Sequence, residues 1–344
     1  MRRLPHLFLS AVICLATAAG ADGRQGKAAA TPGGGAQEVG ENEVVRVDTS
    51  LVKVPVSVRD REGRYVGGLA RDDFRVFDGG AEQRITHFAG VEAPVSILLL
   101  IDVSCSIRKP ADTIDAALAF VDQLRPEDAV LPVAFGSNIY ALLTESTRDH
   151  DLVRERIRGL PDNKATPCDG GTRLGDAVEF AIHRVLSHGK GRRAVVLLTD
   201  GRDSLLSKPG WATRSLHDVS EVGVPFYSVR LLTHNGPLFA GWPGDSLAER
   251  GQHYFTNRDV DGYMDDLASL SGGRSYPAAS GETLRKYFGE IGDELRHQYL
   301  LEYYPTPRKA GQSKPERRKI KVRAARAGLA VRARDSYLYD PAAN

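Results

Sequence analysis

Zinc-binding spacing is missing from this sequence. Its nine histidines are dispersed, and no His-x-x-x-His or Cys-x-x-Cys pair occurs, so a Cys/His metal site has nothing to build on. A phosphate-binding loop is missing too. Gly189-Lys190-Gly191 precedes a strand rather than a helix, the wrong context for cradling a phosphate. No internal repeat is visible, which excludes a solenoid. Excess charge of either sign is absent: 46 Lys and Arg against 44 Asp and Glu give a formal net charge of +2. Arg2 and Arg3 lie in a stretch expected to be removed, which leaves the remainder formally neutral. A neutral chain exerts no long-range pull on nucleic acid, and a nucleic-acid partner is not expected.

What is present begins with an export signal. Arg2 and Arg3 form a basic start, residues 7–19 an apolar stretch, and Ala19-Gly20-Ala21 a small-residue cleavage site. The apolar stretch is short for a bilayer span, so a cleaved signal over 1–21 is expected, with a periplasmic or secreted product. Residues 22–43 are rich in Gly, Ala and polar residues without apolar periodicity, and read as a flexible linker.

From Val45 the pattern becomes strict alternation. Val52, Val54, Val56 and Val58 face one way, and Lys53, Pro55, Ser57 and Arg59 the other. Pro55 predicts an edge position or a bulge. Further strands are expected at Phe74–Phe77 and Arg84–Phe88, with a turn at Asp78-Gly79-Gly80 between them. Together they make a small antiparallel β unit over 44–92, too small to stand alone. After Tyr299 β character returns, at Leu300–Tyr304, Arg318–Ala324 and Leu329–Ala333. These segments, within 297–340, are expected to complete the N-terminal unit into one β-sandwich.

Between the two lies a different signal. Val95–Ile101, Ala129–Phe135, Ala194–Leu198 and Val224–Leu232 are apolar on both faces, as parallel strands covered by helices are. Ile114, Ala117, Leu118, Val121 and Leu124 recur at helical spacing, as do Leu174 to Val185 and Leu284 to Leu295. Strands alternating with such helices predict an α/β domain over 94–296, with a doubly wound, mostly parallel sheet set as an insertion between the β segments.

Three polar clusters stand at strand ends or helix starts. Asp102, Ser104 and Ser106 follow the first apolar run, Thr172 opens a helix, and Asp200 follows Ala194–Leu198. One Asp-x-Ser-x-Ser by itself could merely cap the helix starting near Pro110. Three pieces at strand ends point instead to one site of carboxylate and hydroxyl oxygens, which suits a hard divalent cation: Mg2+, or by the same chemistry Mn2+ or Ca2+. Asp203 is either a residue supporting those ligands or a solvated loop residue.

On these motifs the chain resembles a von Willebrand factor type A domain with its metal-ion-dependent adhesion site. Asp102, Ser104 and Ser106 match the Asp-x-Ser-x-Ser motif, Thr172 the lone threonine and Asp200 the second aspartate. The flanking β segments, including Asp73-Phe74-Arg75-Val76, resemble bacterial VWFA-related proteins frequent in Acidobacteria. The resemblance implies a non-enzymatic domain that binds a protein ligand, often through an acidic residue completing the metal shell. The sequence departs from the family at Cys105, where glycine is common, and at Cys168, four residues before Thr172. Both lie in loops feeding the proposed metal, either bridged as a disulfide or as two free thiols.

Other features are weaker. Gly244-Asp245-Ser246-Leu247 spells a short lipase and esterase motif, but Ser246 lies in a Gly/Pro/Trp loop with no identifiable His/Asp partner. A hydrolase using Ser246 is the enzyme alternative. A structural envelope component with a purely stabilising metal is the alternative within binding. The loop 233–256 is long and carries Phe239, Trp242 and Tyr254. The stretch Arg308–Arg334 is strongly basic, with Arg317, Arg318, Lys319, Lys321 and Arg323 close together. It reads as a solvated strand face, with an anionic envelope surface as the other candidate contact.

Overall fold

In the computed structural model the described residues are 51–104, 107, 110–160, 171–187, 191–201, 211–232, 257–306 and 315–339. The valine alternation forms β1 (Val52–Arg59), whose Val54, Val56 and Val58 are fully buried. β2 (Phe74–Asp78) and β3 (Ala81–Gln83) make a hairpin in which Asp78 pairs with Ala81. Its two-residue turn needs positive φ at both positions, and Gly79 (+57°) and Gly80 (+91°) supply it without a Cβ clash.

The strand expected at Arg84–Phe88 is broken. Gln83 pairs with Val76 of β2, whereas His87, opening β4 (His87–Ala89), pairs with Glu302 in another sheet. The chain crosses between sheets here, with Ile85 buried at the corner. The N-terminal strands are therefore shared between two sheets rather than paired in one.

The both-face apolar runs then build the central sheet. In chain order come β5 (Val95–Asp102), α1 (Pro110–Val121), β6 (Ala129–Phe135), β7 (Ile139–Ala141), α2 (His150–Arg158), α3 (Leu174–Ser187) and β8 (Arg192–Thr199). They are followed by α4 (Trp211–Val222), β9 (Phe226–Leu231), α5 (Asn257–Ser271), β10 (Ser275–Ala278) and α6 (Gly281–Arg296). The sheet runs β10-β9-β8-β5-β6-β7, parallel except for the β6–β7 hairpin. Ile97, Leu99 and Ile101 of β5 pack toward α1, α2 and α6, while Leu98 and Leu100 pack toward α3, α4 and α5. Period-two alternation within one apolar strand thus feeds two cores. Each fully buried Leu or Ile contributes about 2 kcal/mol. The domain is doubly wound, as the sequence implied.

The chain returns to β structure in β11 (Gln298–Tyr303), β12 (Glu316–Ala324), β13 (Ala330–Ala333) and β14 (Ser336–Tyr339). These pair antiparallel with the N-terminal strands into two four-stranded sheets, β13-β1-β11-β4 and β14-β12-β2-β3. A shared core of Val54, Val56, Phe74, Val76, Tyr299 and Tyr303 lies between them. Pro55 sits in an interior strand, but the β13 ladder ends at Val56, so on that side Pro55 is locally an edge.

The second face of β1 is buried as well, because the α/β domain packs on it. A Cβ on Gly223 (φ +62°) would come within 2.6 Å of the Lys53 carbonyl oxygen, so only glycine permits this approach. Two buried charges join the halves. Glu294 of α6 accepts from the Tyr227 hydroxyl at 2.8 Å and ion-pairs with Arg274 at 2.9 Å and with Arg332 of β13. Arg334 donates to the Ser220 carbonyl at 2.7 Å. Burial depresses its guanidinium to about 10.

Glu294→Ala would leave two arginines facing an empty pocket, a loss of about 3 kcal/mol. Chemical denaturation should show it, and a change below about 1 kcal/mol would contradict the role assigned to Glu294. We propose that 94–296 is an insertion between the β segments. A 94–296 fragment is then expected to be soluble and to melt cooperatively, at reduced temperature because Glu294 loses Arg332. An aggregated fragment would sink this.

Candidate metal centre

Strand order reverses beside β5. The chain moves from β5 to β6 on one side and later to β8 on the other. In open α/β sheets the crevice outside the carboxyl ends at such a point is where ligands bind. Asp102 is the last residue of β5 and Asp200 follows β8 directly, so two adjacent strands deliver the two carboxylates to one edge. Both are buried, as are Ser104 and Thr172.

Local hydrogen bonds hold Asp102 in place. The Ser104 N–H donates to Asp102 Oδ1 at 2.9 Å, an Asx-type turn that Asp-x-Ser encodes locally. The Thr199 hydroxyl donates to Asp102 Oδ2 at 2.6 Å, and the Gly201 N–H donates to that hydroxyl at 3.0 Å. Gly201 has φ +82°, the left-handed region where glycine carries no Cβ penalty. Thr199 sits at the end of a fully buried strand, and its role was not read from the sequence. The available signal was a hydroxyl immediately before the second aspartate.

Gly136, just beyond β6, gathers the remaining loops. A Cβ there would touch the Ser104 Cα at 3.6 Å, and the Gly136 carbonyl accepts from the Arg173 N–H at 2.9 Å. The Ser104 loop and the residue after Thr172 therefore meet on one glycine, which the sequence did not single out. Asp102, Ser104, Thr172 and Asp200 are thus brought to the same sheet edge. Ser106, Asp203, Cys105, Cys168 and Ser246 lie outside the described residues. His183 is exposed on α3, as a helix-surface residue should be, with Glu179 at 3.7 Å.

Burial, and then the charge of Asp200, push the Asp102 carboxyl up to about 7, against the opposing hydrogen bonds from Ser104 and Thr199. Among the described residues no Lys or Arg forms an ion pair with Asp102. Among the described residues no three His, Cys, Asp or Glu gather there either, and the oxygens brought to this edge are those of carboxylates and hydroxyls. That is the donor set of a hard ion.

Residues 97–202 match the family model of the von Willebrand factor type A domain. The chain is similar to this family over that segment. All five sequence-derived ligand positions fall within it. A UPF0353 protein of Mycolicibacterium paratuberculosis (strain ATCC BAA-968 / K-10) is 26% identical over 236 residues, 62% of this chain and 64% of the relative. The chain therefore matches less than two thirds of that relative's length. Among solved structures, a von Willebrand factor type A protein from Catenulispora acidiphila is 11% identical with a TM-score of 0.44, over 85% of this chain and 74% of that one. An aerotolerance-related membrane protein from Bacteroides fragilis NCTC 9343 is 16% identical with a TM-score of 0.44, over 58% and 99%. Proximal thread matrix protein 1 of the mussel byssus, solved with a zinc-occupied MIDAS motif, is 14% identical with a TM-score of 0.45, over 65% and 50%.

A carboxyl raised to about 7 in the folded state binds its proton more tightly than in the unfolded chain. The sign follows: without a cation, Asp102 destabilises the fold progressively as pH rises from the ordinary carboxylate range to about 7. In EDTA, the protein should lose melting temperature relative to Asp102→Asn between about pH 5 and about pH 8, and saturating Mg2+ should remove the difference. Parallel melting curves in EDTA would contradict the assignment.

Proposed function

We propose that this chain is an exported, non-enzymatic binding protein whose von Willebrand factor type A domain holds a divalent cation for capture of a protein partner. Asp102, Ser104, Ser106, Thr172 and Asp200 would hold the ion, Mg2+ in the first place, with Mn2+ and Ca2+ served by the same oxygen chemistry. The observation that carries this reading is the buried Asp102 beside Asp200 at the reversal of strand order. Two carboxylates brought out of water at one edge are unfavourable together, and a cation between their loops relieves them. Hydroxyl ligands add no negative charge, so the ion keeps the capacity to accept a carboxylate from outside. An acidic side chain of a protein partner fits that demand.

Export is supported by the basic start at Arg2 and Arg3, the apolar 7–19 stretch and the small residues at 19–21. Among the described residues no helix is long and apolar enough to cross a membrane. A second reading, a structural envelope component whose cation only stabilises the fold, is favoured by the same strain at Asp102. A chelator separates the two: lowered melting temperature with unchanged partner capture belongs to the structural reading alone.

Asp102→Ala should reduce Mg2+ affinity at least about 100-fold by titration calorimetry, with the far-ultraviolet circular dichroism unchanged. Unaltered affinity in that variant would refute the site. Crosslinking pull-down with and without EDTA should then show a partner captured only with the cation.

A further inference from the structure

The basic stretch does not form a single solvated face. In β12, Arg317, Lys319, Lys321 and Arg323 point outward, while Arg318 points inward. Arg318 is buried against Glu316 at 2.8 Å, with its guanidinium 3.6 Å from the Tyr339 ring centre. The four outward cations make no ion pair with any carboxylate among the described residues. They line one wall of a cleft of about 1290 Å³, whose other wall is α4 and α5. Phe77 and Leu338 add apolar surface on the strand side, and Leu216 and Leu270 on the helix side. Asp266, Asp335 and His217 are the other ionisable groups there. Asp335 is engaged by the Ser336 hydroxyl at 2.9 Å, and His217 lies 3.2 Å from Asp218.

We propose that this cleft binds an extended acidic segment of a protein partner. Alternate residues on one face of a strand repeat every ~6.8 Å, and an extended peptide presents its own alternate side chains at the same repeat. Glutamates or aspartates at every second position therefore register with Arg317, Lys319, Lys321 and Arg323. Neighbouring cations at that spacing lie within one Debye length of about 8 Å of each other, so an anion placed between two of them gains from both. The cleft exceeds the ~300–1,000 Å³ of small-molecule pockets, which favours a polymer. With α4 and α5 as its other wall, the cleft presents the cations to a groove rather than to a flat surface. Because β12 lies between β14 and β2, its backbone is already paired. Recognition is then by side chains across the face rather than by strand addition. The cleft shares no residue with the metal centre and does not depend on it.

The test is fluorescence anisotropy of the full chain with a fluorescein-labelled peptide carrying glutamate at alternate positions, beside a control with glutamine in their place. Expected is saturable binding of the glutamate peptide that weakens with salt, survives EDTA, and falls at least about tenfold in Lys319→Glu/Lys321→Glu. The milder Lys319→Gln/Lys321→Gln, checked for an unchanged melting temperature, should weaken binding several-fold if charge reversal disturbs β12. Equal binding of both peptides, or unchanged binding in the glutamine variant, overturns the proposal. Loss of binding in EDTA or in Asp102→Ala moves the peptide to the metal centre and overturns it too. Retention on phosphatidylglycerol vesicles without peptide binding overturns it in favour of a lipid surface.

Discussion

Two carboxylates held out of water at one sheet edge set the terms for everything near them. Neither Asp102 nor Asp200 is free to move away, because each is delivered by a strand whose neighbours are fixed. β5 is bonded on both sides, to β6 and to β8, through most of its length. Its Asx turn and the Thr199 hydroxyl then fix the Asp102 side chain itself. The energetic tension is visible in the upward displacement of the Asp102 carboxyl. Displacements of this kind cluster at binding and catalytic sites. Glycine at 136 and 201 gives the surrounding loops the close approach and the left-handed turn that the arrangement demands.

The sandwich is the mount for this domain. The strands on either side of the α/β segment, β4 before it and β11 after it, pair with each other, so the ends of that segment are brought together at one side. Glu294 and Arg334 then cross the boundary with buried charge, and Gly223 lets the backbones nearly touch. Buried charges of this kind contribute less net stability than apolar packing would, but they penalise any other relative placement of the two layers. Specific orientation is the physical gain.

Legibility in the sequence tracked how much one residue type could reveal by itself. β5, β6, β8 and β9 were plain because runs such as Val95–Ile101 are apolar on both faces, which only a covered strand explains. α1, α3 and α6 showed the 3–4 spacing, and the aspartates at strand ends pointed to the candidate site. α4 did not show itself, because it buries Ser215 and Ser220 beside Val219 and Val222, so its inner face is half hydroxyl. β7, β10 and β14 are three or four residues long, below the length at which alternation is a signal. The Arg84–Phe88 expectation failed because alternation cannot tell a continuous strand from a chain crossing between sheets. Arg318 was taken with its neighbours because composition reads charge but not phase; its inward direction follows only from the β12 register. Thr199 and Gly136 act through contacts with distant segments, and no local pattern announces those.

Near-neutral net charge hides this segregation. One edge of the α/β domain concentrates buried carboxylate, while the outer face of β12 concentrates four cations without described acidic partners. Summed over the molecule these cancel, so little field extends beyond about one Debye length. Neither site can therefore draw a ligand from afar by charge. Each acts only once a surface is already in contact, where the low dielectric of a buried edge or a concave cleft makes individual charges count. Discrimination between partners then rests on shape and on the spacing of charges along the ligand, which is where an oxygen-lined edge and a strand with a two-residue repeat differ most.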